Sequence, residues 1–399
     1  SIPLAGGGVA GLEAFLALRE LLRDRVELTI VSASESFHFR PMEVGVPFGL
    51  GRPYRHELAP IADRLGARFV EDALARIDVA GGAVELVSGD RRGYDHLLVA
   101  VGAAPGAPSP FGVMFERGED AQEFAEVLAD LQAGLISHVA FVVPASVSWP
   151  LPAYELALMT AAWGAAARPG GVGVSLVTHE RSPLAMFGAS ASAEVSAKLE
   201  RARVGFAGGH DPQLVSDTIV RAGSRQLVAE RVVVLPEPAG QAVAGLPHRR
   251  GFIPVDPWGR VHETPGVWAI GDVADHRVKQ GGLAAQQAAV AASAIAAEVL
   301  GEPVPPVAQP VLRGLLRTVD GPLYLRAVLG DEEATSMASA EPLWWPPSKL
   351  AAPRLTSLIG SLERERAQGI VLPPWSGSSR CGDARRELSR PRPAARFRP

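Results

Sequence analysis

Apolar residues along this chain fall into two recurring units, each a short buried run followed by a stretch of helix length. The first unit opens on Ser1–Ala5, passes a glycine-rich turn and continues into a helical run from Leu12 to Leu22. Val26–Val31 then reads as a strand, being short, apolar and β-branched. Arg55–Leu65 reads as a helix, and Arg68–Val70 and Ala83–Val87 as short strands, the second turning at Ser88-Gly89-Asp90. Tyr94–Gly102 is a buried strand that ends in glycine, followed by a Pro/Gly linker from Ala103 to Gly112 and a helix from Glu119 to Ala133. The pattern then restarts with strand Val139–Val143, helix Pro152–Ala167, strand Val172–Val177 and a helix near Ala191–Arg203, and Gln226–Leu235 completes the unit. The chain returns through Gly251–Asp256 to Val267–Asp272 and a long Ala-rich helix, Gly282–Leu300. That helix is apolar nearly all round, which marks it as buried. Residues 311–360 form a third region, and the remainder is expected to be floppy.

The turn Ala5-Gly6-Gly7-Gly8-Val9-Ala10-Gly11 carries Gly-x-Gly-x-x-Gly at Gly6, Gly8 and Gly11, between a strand and a helix. In a dinucleotide fold the first glycine makes the tight turn and the second lets backbone approach a pyrophosphate. The third lets the helix sit close on the strand, its N-terminus aimed at the phosphates. Alternating strands and helices imply parallel sheets with right-handed crossovers. The expected fold is therefore α/β, with two Rossmann-like dinucleotide-binding domains, the first discontinuous. Its parts are residues 1–112 and 245–320, with the second domain at 113–244, a C-terminal region at 321–375 and a tail at 376–399.

Two features depart from the ideal. Pro3 is awkward in a central strand because it cannot donate to the ladder; a chain that starts further upstream and an altered end are both open explanations. The acidic residue expected about 20 residues beyond the glycines is missing, because Ser32 stands where the second strand ends. Ser32 can still hydrogen-bond a ribose hydroxyl, and Glu35 lies close by.

A length of 399 residues suggests two or three domains. The net charge of −4 argues against a general nucleic-acid binder, the more so because seven Arg lie between Arg380 and Pro399. That Arg- and Pro-rich end reads as a solvated tail. Cys381 is the single cysteine, so an intrachain disulfide, a cysteine metal site and a dithiol redox pair are excluded. No run of about 20 uninterrupted apolar residues occurs, so no transmembrane helix is expected. No signal peptide is visible, and the default placement is cytoplasmic, with peripheral contact at the inner face of a membrane as an addition. Leu343-Trp344-Trp345-Pro346-Pro347-Ser348-Lys349-Leu350 pairs two tryptophans with a cation, as interfacial anchors do. Packing of these tryptophans on the first domain, or on a second subunit of a homodimer, is the open alternative.

Three stretches together resemble the two-dinucleotide-binding-domain flavoproteins: the Gly6–Gly11 turn, Tyr94-Asp95 to Ala100-Val101-Gly102, and Thr264-Pro265-Gly266-Val267-Trp268-Ala269-Ile270-Gly271-Asp272. Their order and spacing agree over residues 1–330. Phe39-Arg40-Pro41 and Lys279-Gln280-Gly281-Gly282-Leu283-Ala284-Ala285-Gln286-Gln287 are similar to the branch holding sulfide:quinone oxidoreductases and type II NADH:quinone dehydrogenases. The resemblance implies FAD in the first domain, held by Gly6, Gly8, Val9, Ala10 and Gly11, with Ser32 and Glu35 toward the ribose and Leu74 at the adenine. Ala100, Gly102, Gly271 and Asp272 complete its site, Asp272 meeting ribityl hydroxyls or the pyrophosphate. Arg40 and Pro41 would lie near the pyrophosphate and ring, although Arg40 reads equally as a surface charge. Lys279, Gln280, Gly281 and Gly282 would open the long helix under the flavin. A helix N-terminus favours negative charge there, and Lys279, the one catalytic assignment, would add a cation. A solvent-exposed Lys279 is the plainer alternative. Gln286 and Gln287 resemble the dehydrogenases' quinone-pocket glutamines, or simply form a polar helix face.

The second unit departs from the family at its first turn. Val143-Pro144-Ala145-Ser146-Val147-Ser148-Trp149-Pro150-Leu151-Pro152 holds three prolines and a tryptophan where a nucleotide site needs glycine. Tyr154-Glu155-Leu156-Ala157 still matches the family's helix start, and Glu180 ends the next strand at the place of a ribose-binding acid. The leading expectation is an FAD-dependent oxidoreductase taking electrons from an unidentified small-molecule donor and passing them to a quinone. An NAD(P)H dehydrogenase and a flavin-bound sensor or assembly module, with Trp149 capping the ring, are the alternatives.

Overall fold

Two parallel five-stranded sheets organise the chain. The structure is a computed structural model and describes residues 1–50, 55–115, 120–168, 170–318 and 320–368. In order come β1 (Ile2–Ala5), α1 (Val9–Leu22), β2 (Leu28–Ser32), β3 (Arg68–Glu71) and β4 (Leu97–Val99). The second group is β5 (Val113–Met114), α2 (Asp120–Ala133), β6 (His138–Val143), α3 (Leu151–Ala167), β7 (Gly173–Thr178), α4 (Ala189–Arg201), β8 (Val204–Ala207) and β9 (Arg231–Val234). β10 (Val267–Ala269) and α5 (Gly281–Leu300) follow. The last described elements are β11 (Val311–Thr318), β12 (Gly321–Val328), β13 (Met337–Ser339) and α6 (Pro353–Gln368).

The first sheet has the order β10-β4-β1-β2-β3 and the second β5-β9-β6-β7-β8, both parallel throughout. β10 rejoins the first sheet only after the whole second sheet has formed, so the first Rossmann-like unit is discontinuous. Both faces of a parallel sheet are covered, and its strands therefore read as unbroken apolar runs. In the first sheet Leu4, Ile30, Leu98 and Trp268 face α1 and α5, while Val31, Val99 and Ala269 face a core of the opposite side. Buried alanines along α5, among them Ala284, Ala288, Ala291 and Ala292, let it lie close on α1. By length and composition α5 would span a membrane, but more than half of it is buried inside the protein.

Pro3 does sit in the central strand. Ile2 and Gly6 donate their N–H groups toward the β2 side, to Glu27 and Val31 oxygens, so alternate residues such as Pro3 face β4. Pairing with β4 begins only at Leu4↔Leu98, and the missing donor therefore falls before that ladder starts. Arg55–Glu57 forms a strand against Ser36–His38, and the helix expected from Arg55 spans Leu58–Arg64. Gln226–Leu235 is two strands, Arg225–Val228 and β9, in different sheets. Glu119, Cys381 and the tail 376–399 lie outside the described residues.

Candidate active site

The C-terminal ends of β1, β4 and β10 bring the three glycine motifs together. A Cβ on Gly6 would stand 2.2 Å from the Ala100 oxygen, and one on Gly11 would stand 2.1 Å from the Gly6 oxygen. Both distances lie far inside contact range, so the turn closes only with glycine at these places. Gly8 is the opposite case: it is exposed and a Cβ there would meet nothing within 4 Å. Val9 and Ala10 start α1 directly behind it. Gly271 backs onto Ala10, and its N–H donates to Gln287 Oε1 at 2.8 Å. Gly102 leaves β4 with φ of 78°.

At the far end of this turn Ser32 is buried and its Oγ donates to the Ser34 oxygen at 2.9 Å. Glu35 is exposed and pairs with Arg55 at 3.4 Å. Asp72 N donates to the Ser32 oxygen, which carries the chain to Leu74 at the start of the strand Leu74–Asp78. These groups rim the place where β2 ends, as a nucleoside site requires.

Beyond the turn opens a cavity of about 300 Å³, walled by Arg40, Pro41, Asp272, Lys279, Gln280 and Gly281 on one side. Burial pushes the Asp272 carboxyl up from its ordinary range, against the pull of Lys279 and Arg40. Burial likewise lowers Lys279, to about 8, against Asp272 and Asp275. Desolvation thus outweighs attraction for both. Among the described residues Asp272 has no hydrogen-bond partner. The Lys279 ammonium turns aside to the Ala274 oxygen and lies 3.8 Å from the centre of the Phe252 ring.

Gln280 caps α5, its Oε1 accepting from Leu283 N at 2.7 Å and its Nε2 donating to the Arg313 oxygen. The N–H groups of Gly281 and Gly282 have no acceptor within the helix and stand at its cavity end. Gln286 is hydrogen-bonded both ways to the Val311 backbone, and Gln287 holds Gly271. Both glutamines are thus taken up in docking α5.

The opposite wall comes from the second unit. Val147, Ser148, Trp149, Leu151 and Pro152, the turn that departs from the nucleotide pattern, line the same cavity, and Ser148 Oγ accepts from Lys279 N at 3.0 Å. Trp149 packs edge-on against Phe187 at 6.0 Å. Glu180 is turned inward: Tyr154 donates to its Oε2 at 2.6 Å, and burial raises its carboxyl to about 7. It offers no free ribose acid.

Sequence reading missed the cavity's floor. Glu155 is wholly buried, forms an ion pair with Lys349, and accepts from Arg317 N at 3.1 Å. Lys349, expected as an interfacial cation, is itself buried and also donates to the Leu315 oxygen at 2.6 Å. The only signal was Glu155 in the helix-start motif. Trp344 packs edge-on against Tyr324 at 4.9 Å, whereas Trp345 is 74% exposed.

A family model described as pyridine nucleotide-disulphide oxidoreductase matches residues 4–292. The chain belongs to that family. A pyridine nucleotide-disulphide oxidoreductase of this lineage is an FAD-dependent oxidoreductase, and FAD is its cofactor. The sulfide-quinone reductase of Aquifex aeolicus is 29% identical over 165 residues, covering 40% of this chain and 38% of that protein's length. The solved sulfide:quinone oxidoreductase of Aquifex aeolicus aligns over 93% of this chain and 92% of its own, with a TM-score of 0.74 at 17% identity. A ferredoxin reductase of Rhodopseudomonas palustris aligns over 82% of each chain with a TM-score of 0.61 at 20% identity. The residues present fit the cofactor. Gly8 leaves open space at a helix N-terminus, and Asp272 keeps an unbonded carboxylate in the adjoining cavity.

Proposed function

We propose that this oxidoreductase passes electrons from a small-molecule donor other than NADH to a quinone. Bound in the cavity, FAD supplies a two-electron carrier between the two. The observation that carries the quinone reading is the buried Glu155–Lys349 pair, which lines the same cavity as Asp272. Two-electron reduction of a quinone consumes two protons. Lys349, lowered by burial, can release a proton more readily than an exposed lysine, and Glu155 steadies the charged form until then. Leu315, Leu350 and Pro152 beside the pair give a flat apolar group a place to sit. Gly281 and Gly282 at the start of α5 favour negative charge at the cofactor's end of the cavity. Exposed Trp345 supplies an interfacial side chain for contact with the bilayer in which a quinone tail lies.

On the donor side, a sulfide reaction through cysteines has no support, since no cysteine precedes Cys381. NADH is expected to be a poor donor. Pro144, Pro150 and Pro152 remove three N–H groups from the turn, and two that remain are spent, Ala145 N on Asp211 Oδ1 and Val147 N on the Pro144 oxygen. Two lost charge-assisted bonds at about 1.5–3 kcal/mol each move a micromolar site toward millimolar, at about 1.4 kcal/mol per tenfold. Stopped-flow mixing of the oxidised holoenzyme with NADH should show slow bleaching that rises linearly with concentration. Fast bleaching that saturates in the micromolar range would restore the dehydrogenase reading.

A further inference from the structure

A second cavity, of about 360 Å³, lies between α5, β11 and the segment from Leu343 to Arg354, and it shares no lining residue with the cofactor cavity. Most polar groups in its wall are spoken for. Glu13 accepts from the Leu355 and Arg354 N–H groups, and the Arg354 guanidinium pairs with Glu13 and Glu20. Gln286 is bonded both ways to Val311, and Trp344 Nε1 donates to the Ser348 oxygen at 3.2 Å.

Arg313 is different. Its Nε is buried without an acceptor, and among the described residues its guanidinium makes no ion pair. Directly opposite it in the β11–β12 ladder stands Arg326, a second cation that also makes no ion pair among the described residues. Like charges facing each other across a ladder repel, and among the described residues no carboxylate pairs with either of them. An arrangement of this kind is stabilised by an anion from outside.

We propose that this cavity binds an organic carboxylate with an aromatic body, its carboxylate on Arg313. The guanidinium fork matches a carboxylate in two parallel hydrogen bonds. Trp344 and, on α5, Ala285 and Ala289 supply apolar lining for the ring. The site is independent of the quinone reading, because it lies outside the cofactor cavity and is probed with FAD in place.

The test is calorimetric titration of the FAD-loaded protein with 1-naphthoate and with its uncharged counterpart 1-naphthamide at neutral pH. Naphthoate is expected to saturate at submillimolar concentration and naphthamide to bind at least about tenfold more weakly. Arg313→Met should erase that preference while leaving the flavin spectrum unchanged, and Arg313→Lys should keep part of it. Should Arg313→Met fail to fold, Ala289→Trp, which fills the cavity and leaves the guanidinium intact, is expected to abolish binding. Equal affinity for the two ligands, undiminished binding in the variants, or no naphthoate heat into the millimolar range would each overturn the assignment. Retention on anionic vesicles that depends on Arg313, without naphthoate binding, would overturn it too, in favour of a lipid headgroup.

Discussion

A Gly8→Trp variant is expected to fold normally and to purify without colour. Gly8 is exposed, its φ of −84° is open to any residue, and a Cβ there meets nothing within 4 Å. Its oxygen, which accepts from Leu12 N at 2.9 Å, is untouched by the substitution. The stability of the cofactor-free protein should therefore change by no more than about 0.5 kcal/mol, as for an ordinary surface position. The indole instead occupies the space before the first turn of α1, where the helix N–H groups would meet the pyrophosphate. Affinity for FAD should fall at least about a thousandfold, or about 4 kcal/mol. The ratio of flavin to protein absorbance after reconstitution, set beside a far-UV melting curve, reads both effects. Gly11→Val makes the contrast, because its Cβ would collide with the Gly6 oxygen and the unit itself should fail to assemble. A yellow Gly8→Trp protein would mean that the phosphates do not lie at this turn.

The second large effect is expected at the cavity floor. Glu155→Gln leaves the buried Lys349 ammonium without its counter-charge, a loss typically of about 3–5 kcal/mol. The amide oxygen of that variant can still accept from Arg317 N, so the cost falls on the charge and not on the backbone. The pH dependence has a defined sign. Burial already holds Lys349 below its ordinary value of 10.5, and removing Glu155 lowers it further. The unfolded chain then binds the extra proton, so stability rises with pH between the folded and unfolded values. The penalty is complete below the folded value and fades as pH approaches the unfolded value. Chemical denaturation of the variant and the parent from neutral to alkaline pH should show the gap narrowing. Glu155→Gln/Lys349→Met, which removes both charges, should recover most of the lost stability at neutral pH. A gap that widens with pH would contradict a protonated Lys349 at this site.

Backbone requirements were the legible part of this protein. Gly6, Gly11 and Gly271 are read from sequence because a closed turn between strand and helix admits almost nothing else, and the spacing of three such turns dictates the sheet. The long apolar pattern of α5 was legible for the same reason, since only a buried helix tolerates it. Side-chain destinations were not. Gln286 and Gln287 lie on one helix, and nothing local tells whether an amide faces a ligand or, as here, a neighbouring backbone. Glu180 occupies the position of a ribose acid but turns to Tyr154, a partner 26 residues away. Lys349 and Glu155 are separated by 194 residues, and the lysine follows a Trp-Trp-Pro-Pro run closely in sequence, which suggested a surface. Pro3 misled in the opposite direction, because its cost depends on which side of the strand the missing donor faces. The proline-filled turn at Pro144–Pro152 was legible as a turn without glycine, but not as a wall of the cavity that holds Asp272 and Lys279.

The most direct test of electron transfer to a quinone starts from the reduced protein. The FAD-loaded chain is photoreduced without oxygen and mixed in a stopped-flow instrument with a short-tailed ubiquinone. Flavin absorbance should return rapidly, at a rate that saturates with quinone concentration and falls in Glu155→Gln/Lys349→Met loaded with FAD to the same flavin-to-protein ratio. Reoxidation that is slow, does not saturate and is indifferent to that substitution would contradict a quinone acceptor at this cavity.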